Sequence, residues 1–298
     1  MSIAVVLGAG GAFGWVFHTG VLQALRSELG DGASPDLIIG TSAGAAIAAA
    51  ERAGTDPESI VDSVMRRPSR EDQAAMLADV RAAPKTMRPV APGLVRHLFP
   101  GGGGAVLGLS GLLPPGWFPT SFLEGFPGAN DHPVWPRGLW IPAVRADDGA
   151  VVVFGRDRLD VAVHQAVQAS SAVPGMFRPY EIDGSRYLDG GIVSPTHAHL
   201  AANSGASVVI VSSPMTRPSR RPLARHARRR LADERQRLDD AGITPVIVEP
   251  SAQLVAQARG FPRRNPGAAQ AIMHQAMERS HAALGSLDRS RAGRRQSD

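Results

Sequence analysis

The amino-acid sequence predicts a three-layer α/β/α fold with a mainly parallel central sheet. Short apolar segments alternate with longer segments of helical periodicity, which is the pattern of parallel strands joined by helical crossovers. The chain has 298 residues, of which 43% are hydrophobic and 20% are charged, as in ordinary globular proteins. We find no internal repeat, and we expect a single domain over residues 1–285 followed by a disordered basic tail over residues 286–298.

The N-terminal segments follow this alternation. Ile3–Leu7 predicts a strand, and a helix is expected from about Phe17 to Glu28, after a glycine-rich turn. Asp36–Gly40 predicts a second short buried strand. The alanine-rich segment Ala43–Arg52 predicts a helix whose small side chains permit close packing.

Two more helices are predicted by capping residues at Asp56-Pro57 and at Ser69, and then the alternation breaks. Residues 84–138 form an insertion rich in glycine and proline. It also holds large apolar side chains: Leu107, Leu109, Leu112, Leu113, Trp117, Phe118 and Phe122. Such a segment inside a compact domain is usually functional or mobile. It is interpreted either as a lid or lipid-facing surface, or as an excursion that folds its apolar residues onto the domain, and we favour the second.

Regular structure resumes after residue 138. A hairpin is predicted from Leu139–Ala146 and Val151–Phe154 around Asp147-Asp148-Gly149. The remaining strands are predicted at Arg186–Leu188, Ser207–Ser212 and Thr244–Val248, and the remaining helices at Leu159–Ala169, Ser219–Ala241 and Pro266–Leu284.

The positive charge is concentrated. Lys and Arg number 32 and Asp and Glu number 27, which gives a formal net charge of +5. The segment Arg217–Arg237 carries +7 and the tail +2, so the remaining chain carries −4. A mildly acidic body argues against a general nucleic-acid binder. For the arginine-rich segment, we favour a solvated helix face over attraction to anionic lipid headgroups.

The absence of cysteine excludes disulfides, thiolate zinc sites and cysteine nucleophiles. No group of His, Asp and Glu has metal-ligand spacing, so neither a metal nor a cofactor is expected. The sequence shows no secretory signal and no apolar segment long enough to span a bilayer. The expected location is therefore the cytoplasm, with or without peripheral contact at a membrane surface.

The clearest chemical signal is Gly40-Thr41-Ser42-Ala43-Gly44. It matches G-x-S-x-G between a predicted strand and a predicted helix, which is the context of a nucleophile elbow. Such a turn projects the Ser42 hydroxyl from the end of the sheet, and the N-terminus of the next helix favours negative charge there. The alternative is a serine that only caps a helix.

The glycine-rich turn Gly8–Gly14 can present backbone N–H groups either to a dinucleotide pyrophosphate or to an oxyanion. The fingerprint G-x-G-x-x-G fails at Phe13, so an NAD(P)-binding oxidoreductase is the weaker interpretation. Neighbouring parallel strands end at one edge of a sheet. We therefore expect Gly10-Gly11 and Ser42 to lie together.

A serine nucleophile needs a base. Asp189 follows a predicted strand, and Gly190-Gly191 leave its carboxylate unobstructed, although Asp-Gly-Gly is also a common turn. His197 and His199 follow closely, so a Ser–His–Asp triad is a second, less favoured arrangement.

Together these segments resemble the patatin-like phospholipases. Gly10-Gly11-Ala12-x-Gly14, the Ser42 motif and Asp189-Gly190-Gly191 occur in the order seen in that family, and Ala169–Pro179 resembles its approach to the aspartate. The resemblance covers about residues 3 to 212. It implies a serine acyl hydrolase, of the phospholipase A or lysophospholipase kind, that cleaves lipid acyl esters through a Ser–Asp dyad and an acyl-enzyme.

By this resemblance Ser42 is the nucleophile, and Asp189 accepts its proton and later activates water. The oxyanion hole is implied to consist of the N–H groups of Gly10, Gly11 and Ala43. The other motif residues are Gly40, Gly44, Gly190 and Gly191.

The chain departs from the family pattern at Ala9 and Phe13, where a glycine and a Lys or Arg are usual. These departures bear on substrate preference. A lipid-binding family member without catalytic activity is a further alternative.

Overall fold

The computed structural model describes residues 2–30, 34–66, 69–82, 87–99, 104–217, 222–259, 261, 265 and 267–295, with side chains of the last helix described to residue 285. In this part of the chain the strands are β1 Ile3–Leu7, β2 Leu37–Gly40, β3 Leu139–Arg145, β4 Val151–Phe154, β5 Tyr180–Ile182, β6 Ser185–Asp189, β7 Val208–Ser212 and β8 Thr244–Val248. The α-helices are α1 Gly11–Leu29, α2 Ala43–Arg52, α3 Pro57–Met65, α4 Arg70–Ala82, α5 Ala105–Leu112, α6 Val163–Ser170, α7 Pro222–Asp240, α8 Ala252–Gln257 and α9 Ala268–Arg295. Short 3-10 helices lie at Pro92–Leu98, Ser121–Leu123, Gly190–Ile192, Ala198–Asn203 and Pro214–Thr216.

The strands form one sheet in the order β5-β6-β3-β2-β1-β7-β8, with β4 also paired to β3. Strands β3, β2, β1, β7 and β8 are parallel, whereas β4 and β6 run antiparallel to β3, and β5 runs antiparallel to β6. The predicted mainly parallel sheet is therefore confirmed, and it carries an antiparallel region at one side.

Strand β3 has two differently occupied edges. Strand β4 pairs with Ile141–Val144 along one edge. The other edge is shared, because β2 pairs with Leu139 and Trp140, and β6 pairs with Ala143 to Arg145. Strands β2 and β6 therefore approach each other end to end, and the ends that meet carry the residues after Gly40 and the residue Asp189.

Helices cover both faces of the sheet. Helices α1, α2, α3, α6 and α9 pack on one face, where Val5 and Ile38 contact side chains such as Phe17 and Ile47. On the other face α7 and the 3-10 helix Ala198–Asn203 cover Val209 and its neighbours. The three-layer arrangement follows from this, because each strand of the parallel part is apolar on both faces.

Several elements differ from the expected boundaries. Helix α1 begins at Gly11 rather than near Phe17, so part of the glycine-rich turn is the first turn of the helix. Helix α6 begins at Val163 rather than Leu159, where the Gln165 side chain accepts a hydrogen bond from the N–H of Ala162. Strand β5 and helix α8 have no predicted counterpart, since each is too short for a clear periodicity.

The described part of the insertion, residues 87–99 and 104–138, is partly folded onto the domain. Val90, Leu94 and Leu107 are buried against Val144 and Leu188 of the sheet. Other apolar side chains of the same segment stay exposed. The buried residues fit the favoured interpretation, in which the insertion folds its apolar residues onto the domain. The exposed apolar residues do not fit it.

The C-terminal third contains the arginine-rich helix α7 and the long helix α9. In α7, Arg225, Arg229 and Arg235 are exposed and Arg228 is half-buried. The backbone of α9 continues to Arg295, into the segment for which the sequence predicts disorder; that disorder and the domain limits 1–285 stay predictions. None of the described helices combines the length and the apolar character needed to cross a bilayer.

Glycines permit the close contact between α2 and the sheet. A Cβ atom on Gly44 would overlap the carbonyl oxygen of Leu7 in β1, and one on Gly40 would overlap the backbone of Gly44. Only hydrogen at these α-carbons allows the helix to start directly above the strand ends. The spacing of glycines in G-x-S-x-G is thus a packing requirement as well as a turn requirement.

We expect Gly44→Ala to destabilise the fold by about 3 kcal/mol or more, because its Cβ meets rigid backbone in β1. The measurement is the free energy of unfolding from urea titration. Gly125→Ala is the matched control, since a Cβ there meets only the Phe122 carbonyl oxygen at 3.9 Å. Equal stability of the two variants would contradict this account.

Candidate active site

Ser42 lies in the tight turn between β2 and α2. Its backbone has φ 55° and ψ −117°, a strained conformation for a residue other than glycine. The N–H of Thr41 donates to the Leu7 carbonyl at 2.9 Å, which ties the turn to β1. The side chain is only 9% exposed. A strained serine at a strand–helix junction is the geometry that the nucleophile-elbow pattern predicts.

Ser170, at the end of α6, holds this turn in place. Its hydroxyl accepts a hydrogen bond from the N–H of Ser42 at 3.0 Å and donates one to the Pro142 carbonyl at 2.7 Å. Pro142 belongs to β3, so Ser170 fastens the strained turn to the strand along which β2 and β6 meet. Ser170 belongs to the segment Ala169–Pro179 that resembles the family pattern, but sequence reasoning gave it no role, because no local pattern shows that a serine contacts a turn far away along the chain.

Asp189 lies opposite this turn, at the end of β6. Its carboxylate accepts a hydrogen bond from the N–H of Gly191 at 2.6 Å, and the Ser42 hydroxyl interacts with the same carboxylate and lowers its pKa. Asp189 is 3% exposed. The structure thus brings together two side chains that are distant in sequence. The sheet places them, since β2 and β6 end against each other beside β3.

Burial changes the acidity of Asp189. Loss of hydration raises its pKa from 3.8 to about 6, although the nearby Ser42 hydroxyl and the hydrogen bond from the N–H of Gly191 act in the opposite direction. An aspartate in this state is a stronger base than one exposed to water.

The predicted oxyanion donors lie at the N-termini of α1 and α2. Among the described residues, no acceptor is bonded to the backbone N–H groups of Gly10, Gly11 or Ala43. Gly14 lies against Ala43, so the two helix N-termini converge. Free N–H groups and two helix dipoles at one place favour a developing negative charge.

The glycine-rich turn is held by contacts of its own backbone. The N–H of Gly8 donates to the Ser212 carbonyl at 3.0 Å, and the N–H of Ala9 donates to the Pro195 carbonyl at 2.7 Å. His18 is buried with its ring nitrogens 2.7 Å from the Gly8 carbonyl oxygen and 2.7 Å from the Ser212 hydroxyl. Burial lowers the pKa of His18 to about 4, against the effect of the Gly8 carbonyl, so the ring is neutral near pH 7.

The two residues that depart from the family pattern have packing roles. Ala9 is buried and lies beside Gly191 of the aspartate turn. Phe13 stacks on Phe17 with ring centroids 5.9 Å apart, so its side chain is directed along α1. An apolar residue thus fills this position of the first helical turn.

The histidines proposed for a triad have other partners. His197 is buried, and its Nδ1 is 3.2 Å from the hydroxyl of Thr41. His199 Nδ1 is 2.9 Å from the carboxylate of Glu234. Neither is paired with Ser42 or Asp189 among the described hydrogen bonds. The described side-chain contacts of these two histidines are thus with Thr41 and Glu234.

The remaining motif glycines permit close backbone contact around Asp189. A Cβ atom on Gly190 would overlap the Pro142 carbonyl oxygen, and one on Gly191 would lie 2.9 Å from the Asp189 carboxylate. Their spacing next to the aspartate therefore has a steric cause.

A comparison with known proteins supports one family. The family model described as Patatin-like phospholipase matches residues 5–202. An uncharacterized NTE family protein of Mycobacterium bovis and one of Mycobacterium tuberculosis are each 30% identical to the chain over 215 residues, which is 71% of this chain and 48% of the relative. The chain thus spans about half the length of the curated relatives that it matches.

Two solved structures are also similar. VipD from Legionella pneumophila has 13% sequence identity and a TM-score of 0.49, with 96% of this chain and 66% of that chain covered. The type III effector protein ExoU has 16% identity and a TM-score of 0.41, with 96% and 53% covered.

The raised pKa of Asp189 predicts a pH-dependent stability. The native carboxyl keeps its proton up to about pH 6, whereas the unfolded carboxyl loses it above 3.8, so stability falls as pH rises between these values. Asp189→Asn does not ionise. Its free energy of unfolding should exceed that of the wild type by up to about 3 kcal/mol at pH 7.5, with the difference vanishing near pH 4.

Urea titrations of both proteins across this pH range measure the difference. Asp131→Asn, at an exposed position, is the matched control for replacing one aspartate by asparagine. A stability difference for Asp189→Asn that does not change with pH would show that Asp189 is not a buried, reluctantly ionised carboxyl.

Proposed function

Because this chain belongs to the patatin-like phospholipase family, we propose that it is a serine acyl hydrolase that cleaves lipid acyl esters, with Ser42 as nucleophile and Asp189 as base. One observation carries the proposal. The hydroxyl of Ser42 lies close enough to the buried carboxylate of Asp189 to lower its pKa, beside free backbone N–H groups. This is the arrangement that nucleophilic catalysis with a single carboxylate base requires.

The reaction follows from these positions. Asp189 takes the hydroxyl proton while the Ser42 oxygen forms a bond to the ester carbonyl carbon. The negative charge on the carbonyl oxygen is received by the N–H groups of Gly10, Gly11 and Ala43. Asp189 then gives its proton to the departing alcohol, which leaves an acyl-enzyme. In the second half, Asp189 takes a proton from water while the water oxygen bonds to the acyl carbon. The bond between that carbon and the Ser42 oxygen then breaks, the carboxylic acid leaves, and Asp189 returns the proton to Ser42.

The electrostatics of the site support this division of work. An aspartate with a pKa near 3.8 is a poor base for a serine hydroxyl, and burial moves the pKa to about 6. The rest of the barrier must be lowered by stabilising the oxyanion. Each well-placed backbone donor contributes about a hundred- to a thousandfold in rate.

An exposed apolar face supports action at a lipid surface. Six large apolar side chains are between 43% and 55% exposed and form what we call the apolar face: Leu109, Leu112, Leu113, Trp117, Phe122 and Met176. Exposed apolar groups of this extent usually mark an interaction site.

The apolar face is connected to the candidate active site by short contacts. Helix α5, which carries its first two residues, packs against the 3-10 helix that follows Asp189. Leu113 lies beside Gly175, and the Phe122 ring is 5.6 Å from the ring of Phe177. The segment that contains these two partners begins at Ala172, whose carbonyl accepts a hydrogen bond from the N–H of Asp189 at 3.0 Å.

We therefore propose peripheral contact with a membrane through the apolar face. Trp117 suits such a contact, because tryptophan favours the boundary between water and lipid. Arg178 donates a hydrogen bond to the Trp117 carbonyl at 3.3 Å, which places a positive charge beside the face. That charge suits an anionic lipid headgroup.

The nucleophile is tested with a fluorophosphonate probe. We expect the probe to attach to Ser42, as located by mass spectrometry, and Ser42→Ala to lose both labelling and release of nitrophenol from a p-nitrophenyl ester. Asp189→Asn should lower turnover by at least about a hundredfold, because it cannot accept the proton. Ser213→Ala is the matched control, since its buried hydroxyl has no described hydrogen-bond partner.

Two results would contradict the hydrolase. A folded wild type that binds lipid but shows no labelling and no nitrophenol burst would be a binding protein. Measurable NAD(P) binding, with an activity that Ser42→Ala leaves intact, would favour an oxidoreductase. If His197→Ala abolished turnover and Asp189→Asn did not, the assignment of Asp189 as the base would be wrong.

The membrane contact is tested by sedimentation with phosphatidylcholine–phosphatidylglycerol vesicles. Replacing Trp117 and Phe122 together by serine should weaken binding by roughly tenfold or more, because two large apolar groups are lost, while hydrolysis of a soluble ester stays unchanged. Leu159→Ser is the matched control. Leu159 is 64% exposed and lies before the N-terminus of α6, whereas Ser170 is the last residue of that helix. Unaltered vesicle binding of the double variant would exclude this face as the contact.

A further inference from the structure

Glu234 is a buried carboxylate in the arginine-rich helix α7. It is 1% exposed, and four donors surround it. They are the Ser194 hydroxyl at 2.6 Å, the Thr196 hydroxyl, the Ala198 N–H at 3.0 Å and the His199 Nδ1 at 2.9 Å. All four belong to the segment 194–199, which follows the Asp189 turn.

Glu234 stays ionised in this position. Burial by itself raises its pKa, but the hydrogen bond from His199, the ring of His197 and the hydroxyls of Ser194 and Thr196 lower it to about 2. A buried charge is costly unless its hydrogen bonds are made, and here each donor is supplied by one short segment. The carboxylate therefore holds that segment in a single conformation.

The first connection to the candidate active site runs through Ser194. Its hydroxyl donates a hydrogen bond to Glu234, and its oxygen accepts hydrogen bonds from the N–H groups of Thr196 at 3.3 Å and His197 at 3.1 Å. This closes a turn around Pro195. The Pro195 carbonyl then accepts the hydrogen bond from the N–H of Ala9 at 2.7 Å.

Ala9 directly precedes Gly10 and Gly11, the proposed oxyanion donors. The hydrogen bond to Pro195 sets the orientation of the Ala9 peptide and hence the direction of the chain that enters α1. The Pro195 carbonyl also lies close to Gly8, where a Cβ atom would be 3.0 Å from its oxygen. The glycine-rich turn thus packs against the turn around Pro195, and hydrogen bonds to Glu234 hold that second turn in place.

The second connection runs to the nucleophile turn. His197 has a left-handed backbone with φ 53°, and its N–H is held by Ser194. Its ring Nδ1 is 3.2 Å from the hydroxyl of Thr41, the residue before Ser42. The same buried carboxylate therefore supports both parts of the site, from outside residues 5–202 that the family model matches.

We propose that Glu234 is a positioning residue that orients the oxyanion-binding backbone of Gly10 and Gly11 through Ser194 and Pro195. The proposal rests on the proposed hydrolase function. Glu234 does not touch substrate. Its loss lets the 194–199 segment change conformation, so the N–H groups no longer aim at the carbonyl oxygen.

The closing experiment compares Glu234→Gln with Leu238→Ala. Glutamine keeps the size but replaces one carboxylate oxygen by an NH2 group, so the two donors that share that oxygen lose their acceptor. Leu238 is fully buried one turn further along α7 and has no place in the hydrogen-bond chain, so its variant reports general loss of helix packing. For Glu234→Gln we expect kcat on a p-nitrophenyl ester about ten- to a hundredfold lower with KM within about twofold.

Hydrogen exchange supplies a readout that does not need activity. In Glu234→Gln the amides of the segment around Ala9–Gly11 should exchange faster than in the wild type, whereas in Leu238→Ala they should not. If Glu234→Gln does not fold, Ser194→Ala interrupts the chain at its next member and should show the same acceleration.

The outcomes separate the two proposals. Wild-type kcat and exchange in Glu234→Gln, or an equal loss of kcat in Leu238→Ala, would overturn the positioning role. A wild type that hydrolyses no ester would overturn the hydrolase. Even if the wild type hydrolysed no ester, faster hydrogen exchange of the amides around Ala9 in Glu234→Gln would show that Glu234 holds the glycine-rich turn in place.

Discussion

The candidate active site depends on one constraint in the sheet, the shared edge of β3. Strand β2 ends beside Trp140, and β6 arrives from the opposite direction beside Ala143. The two chain ends therefore face each other across a gap about two residues long. Ser42 enters the gap from one side and Asp189 from the other, and Ser170 fastens the turn to the Pro142 carbonyl between them. No feature local to either strand would produce this meeting.

This place is also where the fold departs from what is locally favourable. Ser42 has a strained backbone, and Asp189 is a carboxylate with little hydration that accepts a hydrogen bond from the N–H of Gly191. Both features cost stability, and the surrounding packing has to hold them. The close contact of Gly44 with β1 and the fixed position of Ser170 make that possible. Conformational strain and a raised pKa at one point are typical of a site that is arranged for chemistry.

The two layers around the sheet contribute differently. The α1–α2 side provides the free N–H groups, and its apolar core is continuous. The α7 side contains a buried polar network around Glu234, and it reaches the glycine-rich turn through Pro195. A network of this kind is favourable only when all of its members are paired, and it then allows one arrangement of the chain. The insertion carries five of the six residues of the apolar face, which is connected to the candidate active site.

The sequence by itself determined the fold class, the strands and helices with strong periodicity, and Ser42 as the candidate nucleophile, because alternation, glycine spacing and capping are local properties of the chain. Asp189 became the candidate base through the resemblance to the patatin-like phospholipases, since Asp-Gly-Gly by itself is a common turn. The sequence did not determine the early start of α1, the short strand β5, or the roles of Ser170 and Glu234. A serine and a glutamate carry no local signal of what they contact, and Glu234 within an arginine-rich helix looks like any solvated acid. Only the packing of α6 and α7 against the sheet decided that both are buried and hydrogen-bonded to the turns around the site.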